Sequence, residues 1–342
     1  MSDANQAFCG GLTDADDAPA LNPPANQPTW TENLWWIAHD SKNGIGLMVH
    51  LGSTRHDFNV VRQTILFFLP DGRVATDVSV GGFRQNRSVR GATLSMECIE
   101  PFRQWRIACN GVAQAATTAD LWNDSPRQAA KPPLKIDLQA QCLGPVWEAA
   151  GGNDAAQMHS QEWASSHYQQ TIRLHGSVEF DGTRYALDGT GVRDHSRGPR
   201  DFANWHGHAL CSAPFPGGRS FGLMSVIGPG GGIAYRSAYV VRNGVLERGL
   251  PAAIPPLSAA ILKPETIPIT IEVNGRIESI VAHTRHRGLL SMLAPYDVTP
   301  GINRQSPGGI ALGEALATFT WDGESAQGIV ERSARAATLP RL

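Results

Sequence analysis

The residues best suited to proton chemistry are concentrated in one polar stretch, DGTGVRDHSRGPRDFANWHGH, running from Asp188 to His208. Asp194 stands between Arg193 and His195. Desolvation would raise the pKa of its carboxyl while the two neighbours lower it, and that balance decides whether it works as an acid or a base. The reading is Asp194 as the general acid/base with His195 orienting it. Gly191, Gly198 and Pro199 predict a sharp turn that aims these side chains, and Arg193, Arg197, Arg200 and Asp201 are expected to form an ion-paired structural clamp around them. An alternative makes the whole charged set, Asp194 included, a clamp without chemistry.

His167, Tyr168, Trp205, His206, His208 and Tyr239 are the candidate substrate-binding residues. His206 and His208, two apart on an expected strand, should point the same way, and Asp194 could complete a facial metal triad with them. Pocket lining without metal is the favoured reading, and no cofactor is expected. His283 and His286 in AHTRHRG would extend the polar lining. Trp35, Trp36, Trp105, Trp163, Trp205 and Trp321 read as core, with one or two facing a cavity where a ring face could stabilise a developing cation. No GxSxG, P-loop, HExxH or dinucleotide fingerprint is present.

These side chains need a scaffold, and the chain of 342 residues is long enough for two cores. Lys+Arg 29 against Asp+Glu 31 gives a formal charge of -2, which supplies no broad basic field for nucleic acid or an anionic membrane. A small apolar molecule is the expected partner, with homodimerisation left open. Five widely spaced cysteines without a CxxC pair read as buried, reduced thiols. The N-terminus lacks a signal-peptide pattern and the longest apolar runs, such as TILFFL, are too short to span a bilayer, so a cytoplasmic protein without stable membrane insertion is expected.

The dominant hydrophobic period is two. In HYQQTIRLHGSVEFDG, Tyr168, Gln170, Ile172, Leu174, Val178 and Phe180 alternate with His167, Gln169, Thr171, Arg173, His175 and Glu179, which predicts a strand with two distinct faces. Asp181-Gly182, Asn243-Gly244 and Asn274-Gly275 sit between alternating runs as tight hairpin turns. The fold class predicted is all-β: two consecutive antiparallel barrels or sandwiches with few short helices. Residues 1–28 are expected to be an extended or mobile arm, 29–155 the first β domain, and 156–342 the second, carrying the site. The stretch from Trp147 to Ser166 is the expected linker.

The segment LDGTGVRDHSRGPRDF, preceded by HYQQTIRLHGSVEFDG, resembles the surroundings of the acidic residue in the hydroxyneurosporene synthase, or carotenoid hydratase, family. That family belongs to a wider lipocalin-like group with AttH-like proteins and fungal decalin-forming cyclases. ENLWWIAHDSKNGIGLMVHLG, ILFFLPDGRV and LATFTWDGESAQGIVERS resemble its strands elsewhere. The resemblance implies two lipocalin-like barrels and a cofactor-independent hydratase or dehydratase, a lyase that protonates a carbon–carbon double bond. It maps the family's aspartate onto Asp194 and the following histidine onto His195. Val192 replaces the family's tyrosine and Ser196-Arg197 its Asn-Trp, which points away from a carotenoid and toward a smaller or oxygenated substrate, terpenoid or aromatic. An isomerase or cyclase, and a carrier of a hydrophobic ligand, are the competing readings.

Overall fold

In the computed structural model, which describes residues 7–124, 130–149, 164–293, 297–306 and 308–342, nearly every regular element is an antiparallel strand. Alternation sets this directly: along Pro133–Cys142 every second residue is buried and every other one exposed, so one face must be covered and the other solvated.

Thirteen strands form one sheet and nine the other. The middle of the first sheet runs Pro133–Cys142, Ser166–Phe180, Thr183–Pro199, Trp30–Asp40, Ile45–Thr54, Val61–Phe68. In the second sheet, Thr266–Val273 pairs with Arg276–Leu293 and closes eight strands into a ring. Both sheets curl around their own apolar cores. Trp36, Leu47, Phe67, Trp105 and Ile172 fill the first, and Phe221, Val240, Ile269, Phe319 and Trp321 the second. A third core, including Trp35, Ile37, Leu66, Leu210, Tyr239 and Leu316, is shared between the sheets. The outward face of each barrel is therefore apolar where the two meet.

The three predicted hairpin turns are all present. Asp181-Gly182, Asn243-Gly244 and Asn274-Gly275 each hold two successive positive φ angles, as does Asp322-Gly323. The sheets divide between Pro199 and Gly207, later than the boundary drawn at residue 155. The reason is the hairpin Ser166–Phe180/Thr183–Pro199, whose Ile172, Leu174, Val178, Phe180 and Leu187 pack into the first core. Of the expected linker, residues 150–163 lie outside the described residues, Trp163 among them. The described part of the N-terminal segment packs onto the first sheet, with Asp17 of the short helix Asp14–Asp17 fully buried. All five cysteines are buried and free, and no described helix is long and apolar enough to cross a membrane.

Candidate functional site

Asp194 lies in the middle of a 17-residue strand, so strand alternation aims it and the predicted turn does not. Pairing register places Gln169, Asp194, Trp35, His50 and Thr64 in one row across five neighbouring strands. The next row holds His167, Ser196 and Asn33. Side chains with the same parity share a face, and both rows point toward the second sheet. There all of them but Gln169 line a cavity of about 150 Å³ between the two sheets.

The second sheet supplies the opposite wall. Leu312 and Glu314 come from Ile310–Trp321, Glu331 from Glu324–Arg335, and His208 and Leu210 from Gly207–Pro214. Glu314 and Glu331 are direct cross-strand partners. Met48, Met224, Leu290, Met292, Trp205 and Phe202 make most of the remainder apolar, and Arg200 adds a charge.

Two carboxyl systems thus face one cavity. On the first sheet, His167 Nε2 donates to Asp194 Oδ2 and Gln169 Nε2 donates to the same oxygen at 3.3 Å. Burial pushes the Asp194 carboxyl up, but His167, the Arg200 charge and Gln169 outweigh it and hold it below the ordinary carboxylate range. On the second sheet, burial and the neighbouring Glu331 drive the Glu314 carboxyl well above that range. Glu331 also suffers burial, yet its pairing with His208 and Glu314 leaves it below its ordinary value. Glu314 therefore keeps a proton beside an ionised Glu331, the arrangement of two carboxyls sharing one site.

His208 is aimed by Ser333. The backbone N–H of His208 and the Trp205 Nε1–H both donate to Ser333 Oγ, at 2.9 and 3.2 Å. The serine proton is left for His208 Nδ1, 2.5 Å away, which turns the Nε2–H toward Glu331. His50, held by Asn33 Oδ1 at 3.1 Å, is kept neutral by burial, with its pKa lowered to about 4.

The expected site residues divide accordingly. Asp194, His167, Trp205, His208 and Arg200 line the cavity, and Arg200 donates to Ser196 Oγ at 2.7 Å. His195 does not orient Asp194: consecutive strand residues point to opposite faces, and His195 bonds Tyr168 and Glu32 inside the first barrel, at 3.0 and 3.1 Å. Tyr168 faces that same interior, so it cannot touch a ligand in the cavity. His206 precedes the strand beginning at Gly207 and is exposed, so His206, His208 and Asp194 do not converge as a metal set. Among the described residues no cluster of metal-binding groups occurs. Tyr239 is buried between the sheets against Trp147, ring centroids 5.1 Å apart, outside the cavity lining.

The clamp residues sit in three different places. Arg193 is fully buried on Asp17, and Arg197 bonds Glu32 at 2.8 Å as well as the Ala15 and Ala18 carbonyls of the N-terminal segment. Asp201 is exposed and accepts the local Ala203 N–H at 2.8 Å. His283 is exposed and bonds Thr266, and His286 stacks against His39, so neither extends the cavity.

Sequence reasoning missed Glu314 and Glu331. Their signal is a carboxylate on the apolar face of a strand, since Ile310, Leu312 and Leu316 share the parity of Glu314.

A family model described as a domain of unknown function (DUF7064) matches residues 13–253. No protein of curated function matches the chain in sequence. Several solved structures share the fold over nearly its whole length. A Nitrosomonas europaea protein described as an AttH is 12% identical with a TM-score of 0.59, covering 93% of this chain and 99% of that one. Kievitone hydratase from Nectria haematococca is 9% identical with a TM-score of 0.52, covering 94% and 93%. CghA solved with Sch210972 is 14% identical with a TM-score of 0.50, covering 96% of each chain.

Proposed function

We propose a function on the premise that the chain belongs to the DUF7064 family, the domain of unknown function spanning residues 13–253. The chain is an acid–base enzyme of the hydratase or dehydratase type, acting on an apolar terpenoid or aromatic small molecule held between the two sheets. One observation carries this reading: two carboxyl systems, each backed by a histidine, face each other across a mostly apolar cavity. That a hydratase, the kievitone enzyme, shares the fold supports the reaction class.

Glu314 is the proton donor and ionised Asp194, with His167 behind it, the base. In the hydration direction the Glu314 proton passes to one carbon of a double bond. The cation formed at the other carbon lies among Trp35, Trp205 and the carboxylates, whose ring faces and charges stabilise it. Water adds to that carbon and gives its proton to Asp194; proton exchange through solvent returns the enzyme to its starting state. Dehydration runs the same steps backwards, with protonated Asp194 giving its proton to the departing hydroxyl and ionised Glu314 taking the proton from the neighbouring carbon. A cavity of this volume holds about one benzene-sized group, so one prenyl unit or one ring reaches the carboxyls and the rest of the substrate extends from the mouth.

The test is turnover of a panel of prenylated phenols and isoprenoid alkenes in oxygen-18 water. A labelled alcohol, formed by the wild type and lost in both Glu314→Gln and Asp194→Asn, supports the assignment. A rearranged product without label would make the enzyme an isomerase or cyclase, and tight binding without any product would make it a carrier.

A further inference from the structure

The most elaborate polar cluster lies outside the cavity, on the opposite face of the same strands. Five donors of the first sheet and its turns converge on the Asp17 carboxylate. Arg193 Nη1 reaches it at 2.6 Å, Tyr168 Oη at 2.5 Å, the Phe102 backbone N–H at 2.5 Å, Trp105 Nε1 at 3.2 Å and Cys98 Sγ at 3.8 Å. Arg193 is fully buried and its guanidinium carbon lies 5.2 to 5.8 Å from the rings of Trp36, Tyr168, Trp105 and Phe102.

The ownership of these groups is informative. The barrel contributes donors, and the acid arrives from outside it, on the four-residue helix Asp14–Asp17. Glu32, an acid buried on the neighbouring strand, is committed to His195, Arg84 and Arg197. Among the described residues Asp17 is the sole ion-pair partner of Arg193. A buried guanidinium without a counter-ion carries a large desolvation cost, so the barrel is built around an anion that its strands do not provide. The converging N–H and O–H groups suit a carboxylate in particular, because its two oxygens can accept several donors together.

We propose that the inner face of the first sheet is a carboxylate-binding site in its own right, separate from the inter-sheet cavity, with Asp17 as its built-in ligand. Small carboxylic acids are the external ligands that take the same place once the Asp17 side chain is out of it. The segment carrying Asp17 is held by side-chain and loop bonds, not by a strand ladder: Arg197 to the Ala15 and Ala18 carbonyls, Arg84 to the Ala20 carbonyl, Arg55 to the Pro24 carbonyl, the Ala20 N–H to Glu32 and the Val146 N–H to the Phe8 carbonyl. It can therefore exchange with a ligand without dismantling a strand.

The experiment is chemical rescue by formate, read as thermal midpoint. In chloride, Asp17→Ala should melt roughly 5 °C or more below the wild type. Replacing chloride by formate at equal ionic strength should restore the midpoint with a saturable dependence, as for a ligand that binds only the folded state. Asp17→Asn, whose amide still fills the space, and the wild type should not respond. If the alanine variant does not fold in chloride, its recovery on refolding from urea is compared in the two salts. Absence of any difference between formate and chloride for Asp17→Ala, or an equal response of Asp17→Asn, would overturn the proposal. Neither result bears on Glu314 or Asp194, which the oxygen-18 assay reports separately.

Discussion

Glu314 and Glu331 stand directly opposite one another on two paired strands, and burial together with the charge on the second lets the first keep its proton. The acid limb of the reaction is therefore set by a pair. With Glu314 as acid and Asp194 as base, kcat/KM should follow a bell in pH, falling in acid as Asp194 is protonated and in alkali as Glu314 ionises. Replacing Glu331 by Gln removes the negative charge that raises the Glu314 pKa, so the alkaline limb should move to lower pH. A pH–rate profile of that variant measures it, and an unmoved limb would reassign the acid.

Removing either reacting carboxyl should cost far more than a shift. Glu314→Gln and Asp194→Asn should each lower kcat by about a hundredfold to ten-thousandfold, the usual contribution of a positioned acid or base. The two variants should remain folded, since each amide keeps the shape of the group it replaces; circular dichroism alongside the kinetics checks this.

His167 and His195 sit on opposite faces of one sheet, which separates their effects. His167→Leu removes the donor on Asp194 and should raise its pKa, moving the acidic limb of the bell to higher pH. His195→Gln breaks a buried contact with Glu32 and Tyr168 and should cost on the order of 3 kcal/mol of stability, with the limbs of the bell unmoved. Urea denaturation and pH profiles of both variants distinguish the two roles.

His39 predicts acid sensitivity of the fold. It is fully buried, hydrogen-bonded to the Ala317 carbonyl of the second sheet at 3.2 Å, and its pKa is lowered to about 4 by burial. The unfolded chain, with an ordinary histidine, binds a proton first as pH falls. Stability should therefore be intact above about pH 6.5 and decline toward pH 4, by on the order of 3 kcal/mol in total from this residue. Urea midpoints across that range, for wild type and His39→Gln, should show a shallower decline in the variant.

Gly191 is the tightest point between the strand carrying Asp194 and its neighbour. A Cβ there would lie 2.0 Å from the Ile37 carbonyl oxygen and 2.9 Å from Ala38 Cα, both backbone atoms that cannot swing aside. Gly191→Ala should destabilise the protein by at least about 1 to 3 kcal/mol, and crystallography or activity should register displacement of the Asp194 strand.

Local features of the molecule were readable from the chain. Asn-Gly and Asp-Gly pairs fixed hairpins because few residues accept two positive φ angles, and alternation identified strands whose faces differ. Asp194 was legible as a carboxyl set between Arg193 and His195, although the turn expected to aim it is a continuous strand. Its working partners were not. His50 and Trp35 reach it through pairing between strands more than a hundred residues apart in sequence, and Glu314 and Glu331 through the docking of a second sheet. His195 misled because adjacency in sequence means opposition in a strand. The domain division was obscured by a hairpin that follows the irregular stretch yet belongs to the sheet before it.

The cavity has one further consequence. On the proposed assignment its donor and its base belong to different sheets, so neither half of the chain inherits a working site, and turnover depends on how well the two surfaces dock. Contacts remote from the carboxyls, such as the Tyr235 hydroxyl on the Ala149 carbonyl at 2.9 Å, hold the two halves in alignment. Drift at that seam would be felt as lost turnover while both barrels were still intact, so selection on activity also acts as selection on how the sheets are joined.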